Sequence, residues 1–402
     1  MATALKISCD KRVHQVSLIK KANEMIPYLK RHANETENNR RMLEETHERF
    51  LDAGFYSALQ PERYGGLELD FGAHTLFSRE LGKGCASSAW VAAILACHGW
   101  MGGMMPDECQ AEIWEHDPQT CVATSFLAAG TKVERRGEEF LISGRWRFSS
   151  GVDFCKWALL ILPVPQPEGK GPPDVYFVMV DLADCLVEDT WQSNGLKGSG
   201  SNDIVVDNVL IPKHRMLDAR LTKGCGTPGS EAAGGGYLYG LPLFAISPFN
   251  LIGPAMGAAR GALEDMIADM KSRQSVTGAD LTKVSTVHER IARAAALLDA
   301  ADAVIERQLE GIVSKGRAGE EYSIEERVRY RINLGHSAKM CCDAVDTLLP
   351  LSGGRGLETT HPMQRAWRDV HAIAQHFGLV WDIQSSFFGS VALGHGCPDP
   401  KI

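Results

Sequence analysis

The sequence predicts an α+β protein whose helices and sheet occupy separate stretches of chain, on three observations. Residues 1–118 repeat their apolar positions at intervals of three and four. Residues 119–215 break into short runs rich in Val, Ile, Phe and Trp. Residues 241–402 return to the helical period. At 402 residues the chain exceeds a single core of ordinary size, so several sub-domains are expected.

In the N-terminal helical domain (1–118), "VHQVSLIKKANEMIPYLKRHA" and "NNRRMLEETHERFLDAGF" are amphipathic, and the second closes at Gly54, a C-cap residue. "FGAHTLFSRELGKG" and "SSAWVAAILACHGWMGGMM" continue the series; the latter is apolar on nearly every side and is predicted to be buried. "LQPERYGGLELD" is a loop, marked by Pro61 and the Gly65-Gly66 pair. In the central β-domain (119–215), "CVATSFLAAG", "TKVERRG", "EEFLISGRWRFSSG", "KWALLILPV" and "VYFVMVDL" are separated by Gly, Pro and Asp, as in an antiparallel sheet. "SNDIVVDNVLIP" closes that domain at Pro212. Residues 216–240 read as a glycine-rich connector. Beyond it, "GPAMGAARGALEDMIADMKSR", "VHERIARAAALLDAADAVIERQLEGIVSKG", "SIEERVRYRINLGHSAKMCCDAVDTLLPL" and "HPMQRAWRDVHAIAQHFGLVWDIQSSFFG" predict a four-helix bundle (241–402), the last helix broken at Gly378.

Composition narrows the classes. Hydrophobic content of 44% and charged content of 23% are those of a soluble globular protein. A net charge of −8 argues against a nucleic-acid or anionic-membrane partner. The N-terminus has no apolar core followed by a small-residue cleavage site, so no signal peptide is read. One uncharged run, 232–259, is interrupted by Pro242, Pro248 and Pro254, which predicts a buried turn and helix rather than a membrane span. The 11 cysteines include no CxxC pair. Cys85, Cys97, Cys109 and Cys121 recur every twelve residues, a step that turns a helix by about 120° beyond whole turns, so the repeat is read as chance. Reduced thiols in a cytoplasmic protein are expected.

"GLKGSGSND" precedes a strand rather than opening a helix, which excludes a dinucleotide-binding turn. It is either a tight connection or a loop whose amides and Ser199 and Ser201 hydroxyls bond a polar ligand edge. "WRFSSG" sets Ser149 and Ser150 at a strand end; without a GxSxG frame neither is a hydrolase nucleophile. They either satisfy turn amides or face a ligand. His98, in "LACHGWMGG", is either a core histidine bonded to backbone or a functional one. His371 and His376 lie five apart, roughly 140° round a helix, and cannot share a metal; no metal site is expected. No carboxylate stands between Glu231 and Glu264, nor between Asp369 and Asp382, so a bundle-side pocket would lack a carboxylate base.

Taken in order, "LQPERYGG", "GLKGSGSNDIVVDNVLIP", "SGGRGL" and "MQRAWRD" resemble the acyl-CoA dehydrogenase superfamily over nearly the whole chain. The resemblance implies a helical domain, a β-domain and a four-helix bundle, with flavin between the last two and a homotetrameric assembly. A dehydrogenase of that superfamily needs a glutamate, at a position occupied here by Phe377 or near Ile246; neither abstracts a proton. "SSAWVAAILACHGW", "WRFSSGVD", "WRDVHAIAQH" and the "CPDP" tail are more similar to oxygenase components of two-component flavin monooxygenases, such as 4-hydroxyphenylacetate 3-hydroxylase, the secosteroid phenol hydroxylase and polyketide hydroxylases.

That branch implies reduced flavin (FMNH2 or FADH2) supplied by a separate NAD(P)H-dependent reductase, O2 as co-substrate, a flavin hydroperoxide shielded from water, and a small phenolic or related aromatic substrate. By position, Ser150 meets the flavin's central ring nitrogen, with Ser149, Gly198 and Ser199 beside the cofactor. His98 faces the substrate hydroxyl as a base, Thr124 or Ser125 assists it, and Trp100 and Phe377 line the substrate. His376 donates or relays a proton near the peroxide, a task suited to a group titrating near neutrality. Phe377, Val380 and Trp381 help exclude water. Arg273 and Arg355 reach a flavin phosphate. Val152-Asp153-Phe154 stands where relatives often carry Cys-Asp-His, which implies a reshaped pocket. Three alternatives stand beside this reading: an acyl-CoA dehydrogenase-like flavoenzyme with a displaced base, an N- or S-oxygenating monooxygenase, and a flavin-binding or nucleic-acid-binding relative without turnover.

Overall fold

The computed structural model describes residues 2–402 apart from 167–170, 225, 275–277 and 279, with side chains from residue 11 onward. Cys225 of the glycine-rich connector and residues 275–277 of "KSRQSVTG" therefore lie outside the described residues. Five helices come first: α1 (Ala2–Asn38), α2 (Glu44–Ala53), α3 (Ala73–Gly82), α4 (Ala86–Gly102) and α5 (Asp107–Trp114). α2 stops at Gly54, whose φ of 83° lets its N–H return to the Leu51 and Phe50 carbonyls. Every residue of α4 is buried, as a helix apolar on all sides requires. α5 is an addition to the sequence reading; Pro106 precedes it, and Asp107 and Glu108 sit in its first turn, where the helix dipole favours them.

Eight strands follow: β1 (Val122–Ser125), β2 (Leu127–Arg136), β3 (Glu139–Ser149), β4 (Trp157–Val164), β5 (Asp174–Asp181), β6 (Cys185–Glu188), β7 (Asn202–Ile211) and β8 (Met216–Asp218). They form two four-stranded sheets, β1-β4-β5-β8 and β2-β3-β7-β6. Pairing is antiparallel, as expected, in all but one case. β1 pairs with β4 in parallel, Val122 opposite Trp157, because the chain crosses to the second sheet through β2 and β3 before returning. β6 and β8 are too short to show alternation in sequence. β8 lies in the stretch read as a connector, which also holds α6 (Pro228–Ala232), closed at its start by a Thr227–Ser230 capping box.

Ile142, Trp146, Leu160, Val178 and Ile204 fill the space between the sheets. The intervening residues of β4 and β5, Trp157, Leu159, Phe177 and Met179, point the other way, into the helical core. The first sheet is thus covered on both faces, whereas the second leaves Leu127, Leu186 and Leu210 exposed on its outer side.

The C-terminal region comprises the short α7 (Leu243–Ile246), then α8 (Phe249–Ser272), α9 (Ser285–Ala318), α10 (Ile324–Leu348), α11 (Pro362–Ala374) and α12 (Trp381–Ala392). The expected fourth bundle helix is divided into α11 and α12 by a turn that includes Gly378. α8 packs directly on α3: a Cβ at Gly257 would sit 2.0 Å from the Arg79 carbonyl oxygen, so only glycine permits that approach. Among the described residues no helix is long and apolar enough to cross a membrane.

Candidate active site between the sheets and the bundle

Trp90, Ile94 and His98 recur every four residues along α4 and so lie on one helical face. Trp90 Nε1 donates to Ser150 Oγ at 2.9 Å, and its ring lies 6.0 Å from that of His376. His98 reaches β1 instead, contacting the Val122 carbonyl at 2.8 Å and Thr124 Oγ1 at 2.7 Å. One buried helix therefore links the end of β3, strand β1 and the turn after α11.

Ser150 owes its position to a bulge. Pairing between β3 and β7 slips between Trp146 and Ser149, and Phe148 takes a left-handed φ of 63°. That conformation is costly for a non-glycine residue, and it leaves both Ser149 and Ser150 buried where simple alternation would expose one. Gly151 then turns the chain with φ 67°. Ser150 Oγ lies 2.8 Å from Ser201 Oγ, which lies 2.7 Å from Ser199 Oγ. Indole N–H can only donate. With the hydroxyls running Ser199 to Ser201 to Ser150, both Ser150 lone pairs are filled and its own O–H is left free to donate.

The two histidines are held in opposite tautomers. A carbonyl oxygen only accepts, so His98 Nδ1 carries the hydrogen that meets Val122, and Nε2 accepts from the Thr124 hydroxyl. Burial pushes the His98 pKa down to about 4, against a smaller upward pull from the Val122 bond, so the ring is neutral at physiological pH. At His376 the Gly378 N–H donates to Nδ1 at 3.1 Å, so the neutral ring bears its hydrogen on Nε2. Burial, aided by the positive charge of Arg331, brings His376 down to about 4 as well.

The structure thus brings Thr124 and His98 together, and separately Ser150, Ser199 and the His376 region through Trp90. Phe377 is 43% exposed and lies 5.3 Å from the His376 ring. Other sequence expectations need revision. Ser125 Oγ donates to the Arg147 carbonyl at 2.6 Å and accepts from Leu127 N–H, which commits it to the β1–β2 junction. Ser149 Oγ donates to the Thr124 carbonyl at 3.1 Å and serves to fasten β3 to β1. Trp100 lies two residues past His98, on the opposite side of α4, where its indole donates to the Leu238 carbonyl at 2.7 Å.

Gly198 donates its N–H to Ser87 Oγ at 3.2 Å and lies against Thr36, a packing role. Arg273 and Arg355 do meet, but around Asp269, at 3.1 and 3.0 Å, near the C-terminal end of α8. A cavity of about 300 Å³ adjoins them, lined in part by Asp269, His361 and Asp369.

Sequence reasoning did not single out Trp90, although its spacing from His98 carries that signal. It also passed over Arg331, Gln384, and the rings of Phe126, Phe177 and Phe244. These three rings lie within 5.8–6.0 Å of one another.

A helical domain, a two-sheet domain and a bundle joined at such a site define a member of the acyl-CoA dehydrogenase superfamily. Residues 20–110 match the family described as "Acyl-CoA dehydrogenase, N-terminal domain" and residues 251–381 that described as "Acyl-CoA dehydrogenase, C-terminal domain". The chain is 32% identical over 373 residues to the oxygenase component of an FADH(2)-dependent resorcinol hydroxylase from Rhizobium sp. (strain MTP-10005), covering 90% of each protein. It is 31% identical over 366 residues to the flavin-dependent monooxygenase oxygenase subunit HsaA of Mycobacterium tuberculosis, covering 90% of this chain and 91% of that one. The crystal structure of 3-HSA hydroxylase from Rhodococcus sp. RHA1 superposes with a TM-score of 0.91 at 27% identity, over 96% of this chain and 99% of that one. The chain belongs to the oxygenase components of flavin-dependent monooxygenases within this superfamily.

The residues present fit reduced flavin. Ser150 offers a buried hydroxyl bonded by the Trp90 indole and, with the serine hydroxyls running toward it, free to donate; His376, whose ring lies beside the same indole, offers an N–H donor. Among the described residues no carboxylate hydrogen-bonds to His98, Ser150 or His376.

Proposed function

We propose that the protein hydroxylates a small phenolic compound, acting as the oxygenase component beside a separate NAD(P)H-dependent flavin reductase, as a cytoplasmic homotetramer. The observation that carries this reading is the opposed polarity of His98 and His376: one ring nitrogen accepts and the other ring donates, and Trp90, on the helical face that carries His98, bonds the buried Ser150 hydroxyl and lies beside the His376 ring. Reduced flavin, FMNH2 or FADH2, supplies the electrons that activate O2.

The chain's own residues do the rest. Thr124 accepts a hydrogen bond from the substrate hydroxyl and passes its own proton toward His98 Nε2, which raises the electron density of the ring. Ser150 O–H would hold a ring nitrogen of the cofactor, and His376 Nε2–H would supply a proton or hydrogen bond to oxygen beside it. Trp90, Ile94 and Phe244, all nearly excluded from solvent, keep water from the reacting atoms. The relatives' printed names support the phenolic assignment, resorcinol among them. The nine described cysteines are all unpaired, which supports a cytoplasmic setting.

The test mixes purified protein with anaerobically reduced FMN or FAD, then with oxygen, and follows the return of oxidised-flavin absorbance. A delay is expected, shortened about tenfold or more in Ser150→Ala, with a hydroxylated phenol detected by mass spectrometry. Immediate reoxidation by the wild-type protein, with no product, would sink the proposal.

A further inference from the structure

Beside this site stands a buried cation without a counter-ion. Arg331, on α10, is 1% exposed. Its Nε donates to Gln384 Oε1 at 2.8 Å and its Nη1 to the Phe244 carbonyl at 2.7 Å, while Nη2 has no partner. Both acceptors are neutral, and among the described residues no carboxylate forms an ion pair with it. Asp399 is close enough for its field to reach Arg331, but it pairs with Lys401 at 3.1 Å. An enclosed charge with an unused donor is an expensive arrangement unless something arrives to meet it.

The surroundings say what that is. The Phe377 ring lies 5.6 Å from the Arg331 guanidinium carbon. Phe244, whose carbonyl Arg331 holds, stacks on Phe177 at 5.8 Å and meets Phe126 at 6.0 Å. Lys401 brings a second cation to 5.8 Å from the Phe244 ring. Phe126 is two residues from Thr124, so the aromatic wall runs from the hydroxyl-accepting His98–Thr124 pair towards the unpaired guanidinium.

We infer that Arg331 receives the carboxylate of an aromatic acid, so that the substrate is a phenol bearing a carboxylate remote from its reacting hydroxyl. This rests on the functional reading above for the hydroxyl end; the salt link itself needs no oxygen chemistry. A competing role is purely mechanical: Gln384 also donates to the Phe377 carbonyl at 2.6 Å, so Arg331 and Gln384 together brace the turn that carries His376.

Calorimetric titration separates the two. The probes are 4-hydroxybenzoate, 4-hydroxyphenylacetate and 3-(4-hydroxyphenyl)propionate, each against its primary amide, with and without anaerobically reduced FMN. At least one acid is expected to bind about tenfold or more tightly than its amide, a preference that falls to within about twofold in Arg331→Gln. Gln384→Met removes the brace but keeps the charge, and should keep the preference; melting temperatures of both variants report whether they fold. Equal binding of acid and amide, no binding of any acid to the wild type, a preference that survives Arg331→Gln, or equal loss in both variants would overturn the inference. An acid preference without any delay in flavin reoxidation would leave the salt link standing and remove the oxygenase reading; a delay without the preference would do the reverse.

Discussion

His98 and His376 are the same residue type under similar desolvation, yet they are built into different kinds of structure. His98 is seated in α4, buried throughout, with both ring nitrogens engaged by β1. His376 sits on the turn between α11 and α12, held by one backbone N–H and by the brace of Arg331 and Gln384. The first is fixed as an acceptor, the second as a donor. Neither role comes from the imidazole itself; each is assigned by what occupies Nδ1, a carbonyl in one case and an amide N–H in the other.

The largest expected effect comes from removing each ring in turn. His98→Leu should lower phenol hydroxylation about 10²- to 10⁴-fold while the delay in flavin reoxidation survives. His376→Leu should shorten the delay itself. Stopped-flow absorbance with product analysis reads both, and a His98 variant that lost the delay would break the division of labour.

A smaller effect follows from their shared low pKa. Each folded-state value, about 4, lies below the unfolded value near 6.5, so between those limits the unfolded chain binds protons that the native one refuses. Stability should fall as pH falls through that window, by up to about 1.4 kcal/mol per pH unit for each histidine, and level off below it. His74, buried with neither nitrogen bonded and pushed to about 3, adds to the same slope. Urea unfolding at pH 7 and pH 5 measures this, and a flat profile would count against neutral, desolvated imidazoles at these positions.

Asp369 sharpens the contrast from the other side and gives the smallest effect. Burial raises its pKa to about 7, although the Leu196 N–H it accepts at 2.7 Å pulls the other way. Because the folded value exceeds the unfolded one, stability is lost as pH rises through about 7. Asp369→Asn keeps the acceptor and should raise the melting temperature at pH 8 by about 2 °C, leaving the acid-side loss from the histidines steeper.

Much of the architecture could be read from periodicity: the buried α4, the Gly54 stop and the division of the last bundle helix at the turn with Gly378. The parallel β1–β4 pair could not, since strand direction depends on a crossover that no local pattern records. Within the site, Ser150 and the two histidines came through resemblance. Trp90 escaped notice because, in a helix apolar on all sides, its step of eight residues to His98 does not stand out among the other apolar positions. Arg331 was hidden in "EERVRYR", where Arg327, Arg329 and Arg331 look alike until tertiary packing buries one of them. Ser125 and Trp100 were expected at the substrate because they neighbour the right residues in sequence, but strand-end bonding and helical rotation turn them elsewhere.

The complete burial of α4 also has a bearing on exchange and traffic. Amide hydrogens along Ala86–Gly102 should exchange with solvent only when the whole protein opens, because no local fluctuation exposes a helix enclosed on every side. The turn bearing His376 has half-exposed Phe377 beside it and no such enclosure. One wall of the site is thus as permanent as the fold, and the wall at the His376 turn is the one more open to solvent.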